Sequence, residues 1–211
     1  MNSPKSLDGF PSRHGQFALT NRALELSRLP AGAFVLDIGC GRGCTVELLR
    51  RLGLKIFGCD RQASILKGAT SLFCADGSLI PCFDSSFDGV LLECSLSTTA
   101  FPESVLQECH RVLKAGGKLL LSDVYARNEA FQIDDCTIKM ETKSAIITRI
   151  LRHGFLVDHV EDCSEYLLKV WGQMLMNHGS DHLYREIGID PATLRQAQIG
   201  YILVVARREA A

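Results

Sequence analysis

The stretch Val35-Leu-Asp-Ile-Gly-Cys-Gly-Arg-Gly43 constrains the fold more than any other part of the chain. A short apolar run leads into glycines at alternate positions, Gly39, Gly41 and Gly43. An apolar run bounded by turn residues reads as a buried strand. Glycines directly after it permit positive φ, a tight turn and close approach of backbone to a ligand. A strand, such a turn and then a helix open a βαβ unit, which demands a parallel sheet covered by helices on both faces. A dinucleotide fingerprint spaces its glycines G-x-G-x-x-G, whereas this loop has G-x-G-x-G with Asp37 just ahead of it. A pyrophosphate prefers a helix N-terminus without an adjacent carboxylate. Asp37 fits better a ligand with a cationic group, such as an amino-acid ammonium.

The same alternation continues along the chain. Apolar runs predict strands over residues 34–38, 54–59, 71–75, 88–93, 118–124, 155–160 and 201–205. Helical stripes predict helices over 17–29, 45–52, 62–68 and 166–176, one around Ile146 to Leu151, and one from Pro102 to a stop at Gly116 and Gly117. In the helix over 166–176, Leu167, Leu168, Trp171 and Leu175 form the apolar side. The expected architecture is a doubly wound, Rossmann-like α/β domain. Its ligand would sit beyond the carboxyl ends of the strands, near the switch point. A length of 211 residues fits one domain.

Two further carboxylates fall at strand ends. Asp60 ends the second strand about 20 residues beyond the glycines, where a carboxylate can chelate ribose hydroxyls. Asp76-Gly77 ends the third, where Asp76 can accept from an exocyclic adenine amine or close an Asx turn, and Gly77 can let a base lie close. The 23 basic and 24 acidic residues leave a formal charge of −1, which argues against a charge-driven grip on nucleic acid. No apolar run approaches the roughly 18 residues of a membrane helix. Residues 1–20 are polar, so no secretion signal is expected. Nine cysteines, an odd number without a Cys-x-x-Cys pair, point to reduced thiols in the cytoplasm and to no structural zinc. Cys59, Cys74 and Cys109 lie in apolar runs and read as small buried hydrophobes. His178 and His182 are separated by Gly179, which breaks the helix that would align them on a metal, so no metal is expected.

VLDIGCGRG, then GCD, then CADGSLIPCFDSSFDGVLLECS, then HRVLKAGGKLLLSD resemble the class I S-adenosylmethionine-dependent methyltransferases, strongly over residues 31–124. The resemblance implies a seven-stranded sheet, mostly parallel, with an antiparallel last strand. It divides the single domain into a helical N-terminal segment (1–30), a cofactor-binding core (31–125) and an acceptor-side half (126–211) with a helical insert at 161–198. It implies S-adenosyl-L-methionine as cofactor. Asp37 would lie near the methionine ammonium, and Gly39, Cys40 and Gly41 would turn backbone toward methionine and ribose. Asp60 would hold the ribose, Arg61 would flank adenine, and Asp76 with Gly77 would read the adenine amine. Glu93 would stay ionised beside the sulfonium or fix the loop.

The acceptor is less constrained. The Asn-Pro-Pro-Tyr-like turn of the nucleobase-amine branches is absent after the fourth strand, where Glu93-Cys-Ser-Leu-Ser97 stands instead. The region from Ser122 to Cys136 is similar to the small-molecule branch that includes quinone-ring and arsenite methyltransferases. In the arsenite enzymes a cysteine between the fifth strand and the next helix binds arsenic, and Cys136 lies in that interval. Cys163 matches no second thiol of that set. Glu93 and Cys136 are the candidate catalytic residues. A small-molecule substrate is expected, with no nucleic acid or membrane partner, and a homodimer stays open. A non-catalytic binder of the cofactor and a nicotinamide-dependent oxidoreductase are the competing readings. The second lacks both the other glycine spacing and an evident proton donor.

Overall fold

Four apolar runs, Phe34–Ile38, Phe87–Glu93, Leu113–Ala126 and Ile199–Arg208, are buried on both faces over most of their length, as inner strands of a helix-covered sheet are. In the computed structural model, which describes residues 17–66, 71–132, 139–180 and 198–210, β1 (Phe34–Ile38) lies between β2 (Lys55–Asp60) and β4 (Phe87–Glu93). β3 (Leu72–Cys74) forms one edge beyond β2. On the other side of β4 come β5 (Leu113–Ala126), β9 (Ile199–Arg208) and β8 (Phe155–Asp162). The seven-stranded order is therefore β3-β2-β1-β4-β5-β9-β8. β1 pairs in parallel with β2 and β4, and β4 with β5. β9 runs antiparallel to both β5 and β8. The expected seven strands and the antiparallel last strand are both present. The order reverses between β1 and β4, which is where an open α/β sheet forms its ligand crevice.

Strand alternation sends successive side chains to opposite faces. On one face Val35, Leu91, Leu120 and Leu203 pack with α1 (Phe17–Ser27), α2 (Cys44–Arg51) and α5 (Ser164–His178). On the other, Leu36, Leu92, Leu121 and Ile202 pack with α3 (Pro102–Val112) and α4 (Lys143–Arg152). Asp37 and Glu93 therefore project toward the α1/α2 face, and Asp123 toward the α3/α4 face. Among the described residues no helix is long and apolar enough to cross a membrane.

Four local expectations need correction. Gly116 and Gly117 do not stop α3, which already ends at Val112. They lie inside β5, where the register against β4 slips between Phe87 and Gly89. Gly116 has φ +73°, and a Cβ on Gly117 would meet the Lys114 carbonyl at 2.9 Å. The pair serves a bulge, which needs a left-handed residue just as a helix cap does. Cys74 is exposed on the edge strand, while Cys59 and Cys109 are buried as expected. Of the helix expected over 62–68, the described part is a 3-10 turn at Ala63–Ile65, and residues 67–68 fall outside the described residues. A two-residue ladder of β6 (Phe131–Gln132) and β7 (Lys139–Met140) was too short to leave a sequence pattern.

The fourth correction concerns α5. Its buried stripe is Leu167, Val170, Trp171 and Met174, whereas Leu168 is 62% exposed and Leu175 40%. The i, i+3, i+4, i+7 spacing of the buried set defines the face toward the sheet. Trp171 and Met174 are thus core residues. Trp171→Ala should cost about 3–5 kcal/mol of stability, as large core truncations do. Leu168→Ala should stay within about 0.5 kcal/mol. Urea denaturation of the two variants checks this, and equal effects would contradict the orientation of α5.

Candidate active site

The loop after β1 is shaped by backbone before any side chain acts. Gly39, Gly41 and Gly43 have φ of +79°, +54° and +80°, the left-handed region that glycine enters without strain. The N–H groups of Gly39 and Cys40 both donate to the Cys59 carbonyl, at 2.8 and 3.1 Å. The Gly41 N–H donates to Asp60 Oδ2 at 3.0 Å, and the Gln62 N–H to Asp60 Oδ1 at 2.9 Å. Asp60 thus closes the end of β2 onto the glycine turn. A Cβ on Gly39 would stand 2.7 Å from Ser95 Cβ, and one on Gly43 2.8 Å from Leu72 Cδ1. A Cβ on Gly41 would meet nothing within 4 Å. Gly39 and Gly43 are therefore required by packing as well as by φ, while Gly41 presents bare backbone to open space.

Asp37 and Glu93 stand behind this turn. Asp37 is 2% exposed, and among the described residues no hydrogen-bond donor reaches its carboxylate. Burial pushes its pKa well above the usual carboxylate range, and the charges of Glu93 and Asp60 push it further. Glu93 has a donor on each oxygen: Thr20 Oγ1 at 2.6 Å from α1, and Thr45 Oγ1 at 2.8 Å from α2. Burial still raises its pKa against those two hydroxyls. No lysine, arginine or histidine pairs with any of the three carboxylates among the described residues. Such a cluster is costly alone and suits a bound cation.

Asp76 adopts the Asx turn. Its Oδ1 accepts from Ser78 N at 2.8 Å and Ser78 Oγ at 2.6 Å, and these bonds lower its pKa, with a smaller contribution from Arg61. Oδ2 stays available, and Asp76 and Arg61 are both exposed. A Cβ on Gly77 would come within 2.8 Å of Ile38 Cγ2, so its lack of a side chain serves packing against β1. Asp37, Gly39, Cys40, Gly41, Asp60, Arg61, Asp76, Gly77 and Glu93 all lie at the carboxyl ends of β1 to β4, or in the turns just beyond. Burial first, and Asp37 next, raise the Cys40 thiol pKa, which disfavours the thiolate. Cys136, His14 and His182 lie outside the described residues. Cys163 is buried, its thiol pushed up to about 11 mainly by burial. Among the described residues no group of histidine, cysteine, aspartate or glutamate is arranged to hold a metal.

Several residues at the site escaped the sequence reading. Thr20 and Thr45 meet Glu93 across 73 and 48 residues of chain. Cys94, with φ +49°, turns the chain directly after β4, and its Sγ lies 3.0 Å from Tyr201 Oη on β9. A non-glycine residue there is strained and marks a position held by its surroundings. On the opposite face a cavity of about 300 Å³ opens between the turn after β4 and α4, lined by Leu96, Ser97, Asp123, Ile146 and Arg149 among others. Arg149 there is paired with Glu141 at 2.6 Å and Glu103 at 2.9 Å.

Residues 36–121 match the family model described as "Methyltransferase domain". A ubiquinone biosynthesis O-methyltransferase from Xanthomonas oryzae pv. oryzae is 33% identical over 114 residues, covering 49% of this chain and 48% of that protein. A demethylmenaquinone methyltransferase from Corynebacterium urealyticum is 32% identical over 108 residues, covering 49% and 46%. The chain spans about half the length of the curated relatives it matches. Among solved structures, the cyclase SpnF superposes with a TM-score of 0.73 at 22% identity, over 92% of this chain and 80% of that one. That likeness shows the fold.

The buried carboxylates give a direct test. Asp37→Asn should raise the melting temperature of the ligand-free protein, by about 2–4 °C for each kcal/mol of relieved charge burial. The native state holds the Asp37 proton more tightly than the unfolded chain. The gain should therefore be complete above the native-state pKa of Asp37 and vanish below about pH 3.9, where both states are protonated. Thermal melts of both proteins across pH measure it; a destabilised variant at neutral pH would contradict the unpartnered carboxylate.

Proposed function

We propose that this chain, a member of the class I S-adenosylmethionine-dependent methyltransferases, transfers the methyl group of S-adenosyl-L-methionine to a small, quinone-like ring acceptor. The observation that carries the reading is the buried Asp37 carboxylate, without a hydrogen-bond or cationic partner among the described residues, behind a glycine turn that offers bare backbone at Gly41. The cofactor brings an ammonium and a sulfonium, and the site has acceptors without a cation. The donor set therefore fits the group.

Each residue has a task under this reading. Asp37 attracts the ammonium, and ligand binding relieves its unpaired burial. Gly39, Cys40 and Gly41 offer backbone along the methionine and ribose. Asp60, already fixed by the N–H groups of Gly41 and Gln62, keeps lone pairs for the ribose hydroxyls. Asp76 keeps Oδ2 for the adenine amine, with Arg61 alongside the ring and Gly77 letting the base approach. Glu93 has both oxygens engaged by threonines, so it acts by charge on the cofactor and by holding α1 and α2 in place. The bound cofactor supplies an electrophilic methyl group on positive sulfur. The chain's own work is to align the acceptor and exclude water. The two quinone-pathway relatives support a ring with a hydroxyl or carbon nucleophile. Cys136 stays a candidate for a thiol or arsenical acceptor. The domain division at 1–30, 31–125 and 126–211, a cytoplasmic location, a possible homodimer and the absence of a nucleic-acid partner belong to the same proposal.

Calorimetry should show S-adenosyl-L-methionine binding and no heat with NAD. Gly41→Val should abolish binding, because a β-branched residue is strained at φ +54° and fills the open space. Asp60→Ala should weaken binding by about 1–3 kcal/mol through unpaired ribose hydroxyls. Methyl-labelled cofactor incubated with a metabolite extract should yield a labelled small molecule. Binding without any labelled product would favour the non-catalytic reading; preferential NAD binding would sink both.

A further inference from the structure

Asp123 lies on β5, on the face away from Asp37 and Glu93, and is 1% exposed. Its Oδ2 accepts from Ser97 N at 2.8 Å, and its Oδ1 from Ser97 Oγ at 2.6 Å and Val124 N at 2.8 Å. The Leu96 N–H faces it as a further donor. Three of these four donors belong to the turn that follows β4. The same turn carries Ser95, whose Cβ stands 2.7 Å from the position a Gly39 Cβ would take. It also carries the strained Cys94. A turn under backbone strain needs strong bonds to keep its shape, and hydrogen bonds to a carboxylate are the strong kind.

We propose that Asp123 is a positioning residue: by anchoring Leu96 and Ser97 it fixes the wall on which Gly39 packs, and so sets the glycine turn for the cofactor. This rests on the cofactor reading above and adds a residue from the opposite face of the sheet. The ionised carboxylate accepts from all four donors. The protonated form becomes a donor at one oxygen and gives up at least one of them. Burial pushes the Asp123 pKa up to about 6 despite its donors. The turn therefore tightens as pH rises through that value and loosens below it. The other charged or titratable groups around Asp123 are Glu93 and Cys94 at the end of β4, Tyr201 on β9, Glu141 beyond β7, and Arg149 on α4. The Cys94 thiol and the Tyr201 hydroxyl are both raised, so they stay neutral in this range, and Glu93 is common to every variant below.

The test pairs a measurement on the cofactor-free protein with one on binding. Carbon-detected NMR follows the Asp123 carboxyl, and amide NMR follows Ser97 and Gly39, from pH 5 to 8. Calorimetry measures S-adenosyl-L-methionine affinity over the same range. Gly39 and Ser97 should shift with the Asp123 midpoint. Affinity should fall about ten-fold as one charge-assisted bond is lost on the acid side. Ser97→Ala removes a donor to the charged form, so it should move the midpoint and the affinity step together to higher pH. Asp123→Asn should bind at pH 8 about as weakly as the unmodified protein does below the step, and should lack that step. A Gly39 amide blind to the Asp123 titration overturns the proposal. So does a midpoint that moves in Ser97→Ala while the affinity step stays, or unchanged affinity in a folded Asp123→Asn. If Asp123→Asn fails to fold, Ser97→Ala carries the decision. No binding at any pH would count against the cofactor reading, while the Gly39 response would still decide whether Asp123 sets the turn.

Discussion

Two carboxylates side by side on neighbouring strands, the buried Asp37 on β1 and the half-buried Glu93 on β4, dictate much of what surrounds them. Each is driven into the sheet by strand alternation, and burial makes each costly. The chain answers for Glu93 and leaves Asp37 unanswered. Thr20 and Thr45 bring α1 and α2 onto Glu93, so the position of two helices is tied to one side chain. Asp37 has no such partner among the described residues, and its neighbours Glu93 and Asp60 add like charge. A fold keeps such an arrangement at a loss in stability where something else gains from it, and the gain under the proposed function is affinity for a cation.

The loop in front of these groups is made of backbone requirements that no other residue type meets. Gly39 is squeezed by Ser95 and Gly43 by Leu72, so the turn is defined by what lies behind it, with Gly41 left facing outward. Asp60 then uses the Gly41 amide to hold the turn against β2. The post-β4 turn closes the arrangement from the other side. Asp123 saturates its amides, and Cys94 accepts a left-handed conformation beside Tyr201. Both faces of the sheet thus contribute to one set of strand ends.

Much of this was legible from residues alone, because β1 and its glycines carry their geometry in composition. An apolar run followed by Gly39, Gly41 and Gly43 leaves few conformations open, and Asp60 and Asp76 follow at strand ends that the same pattern locates. What could not be read depends on partners distant in the chain. A threonine on a helix gives no sign of which carboxylate it will meet, so Thr20 and Thr45 were invisible. Gly116 and Gly117 after an apolar stripe look the same whether they cap a helix or relax a strand, and only pairing with β4 separates the two. On α5, apolar side chains occupy Leu167, Leu168, Val170, Trp171, Met174, Leu175 and Met176, so sequence period alone fixes its buried side only to within about one residue.

The placement of β9 between β5 and β8 has a consequence for how the chain acquires its shape during synthesis. β8 emerges well before β9, yet it has no neighbour in the sheet except β9. Until residues 199–208 leave the ribosome, β5 and β8 each present an open hydrogen-bonding edge, and β5 is among the most deeply buried strands of the finished protein. The five strands from β1 to β5 can associate early, because their crossovers are short. The remaining edge must wait for a closure that spans more than seventy residues from β5 to β9. Non-local closure of this kind is slow, and exposed edges are where wrong partners attach. The interval between the emergence of β5 and that of β9 is therefore when a nascent chain of this topology is most open to wrong strand pairing.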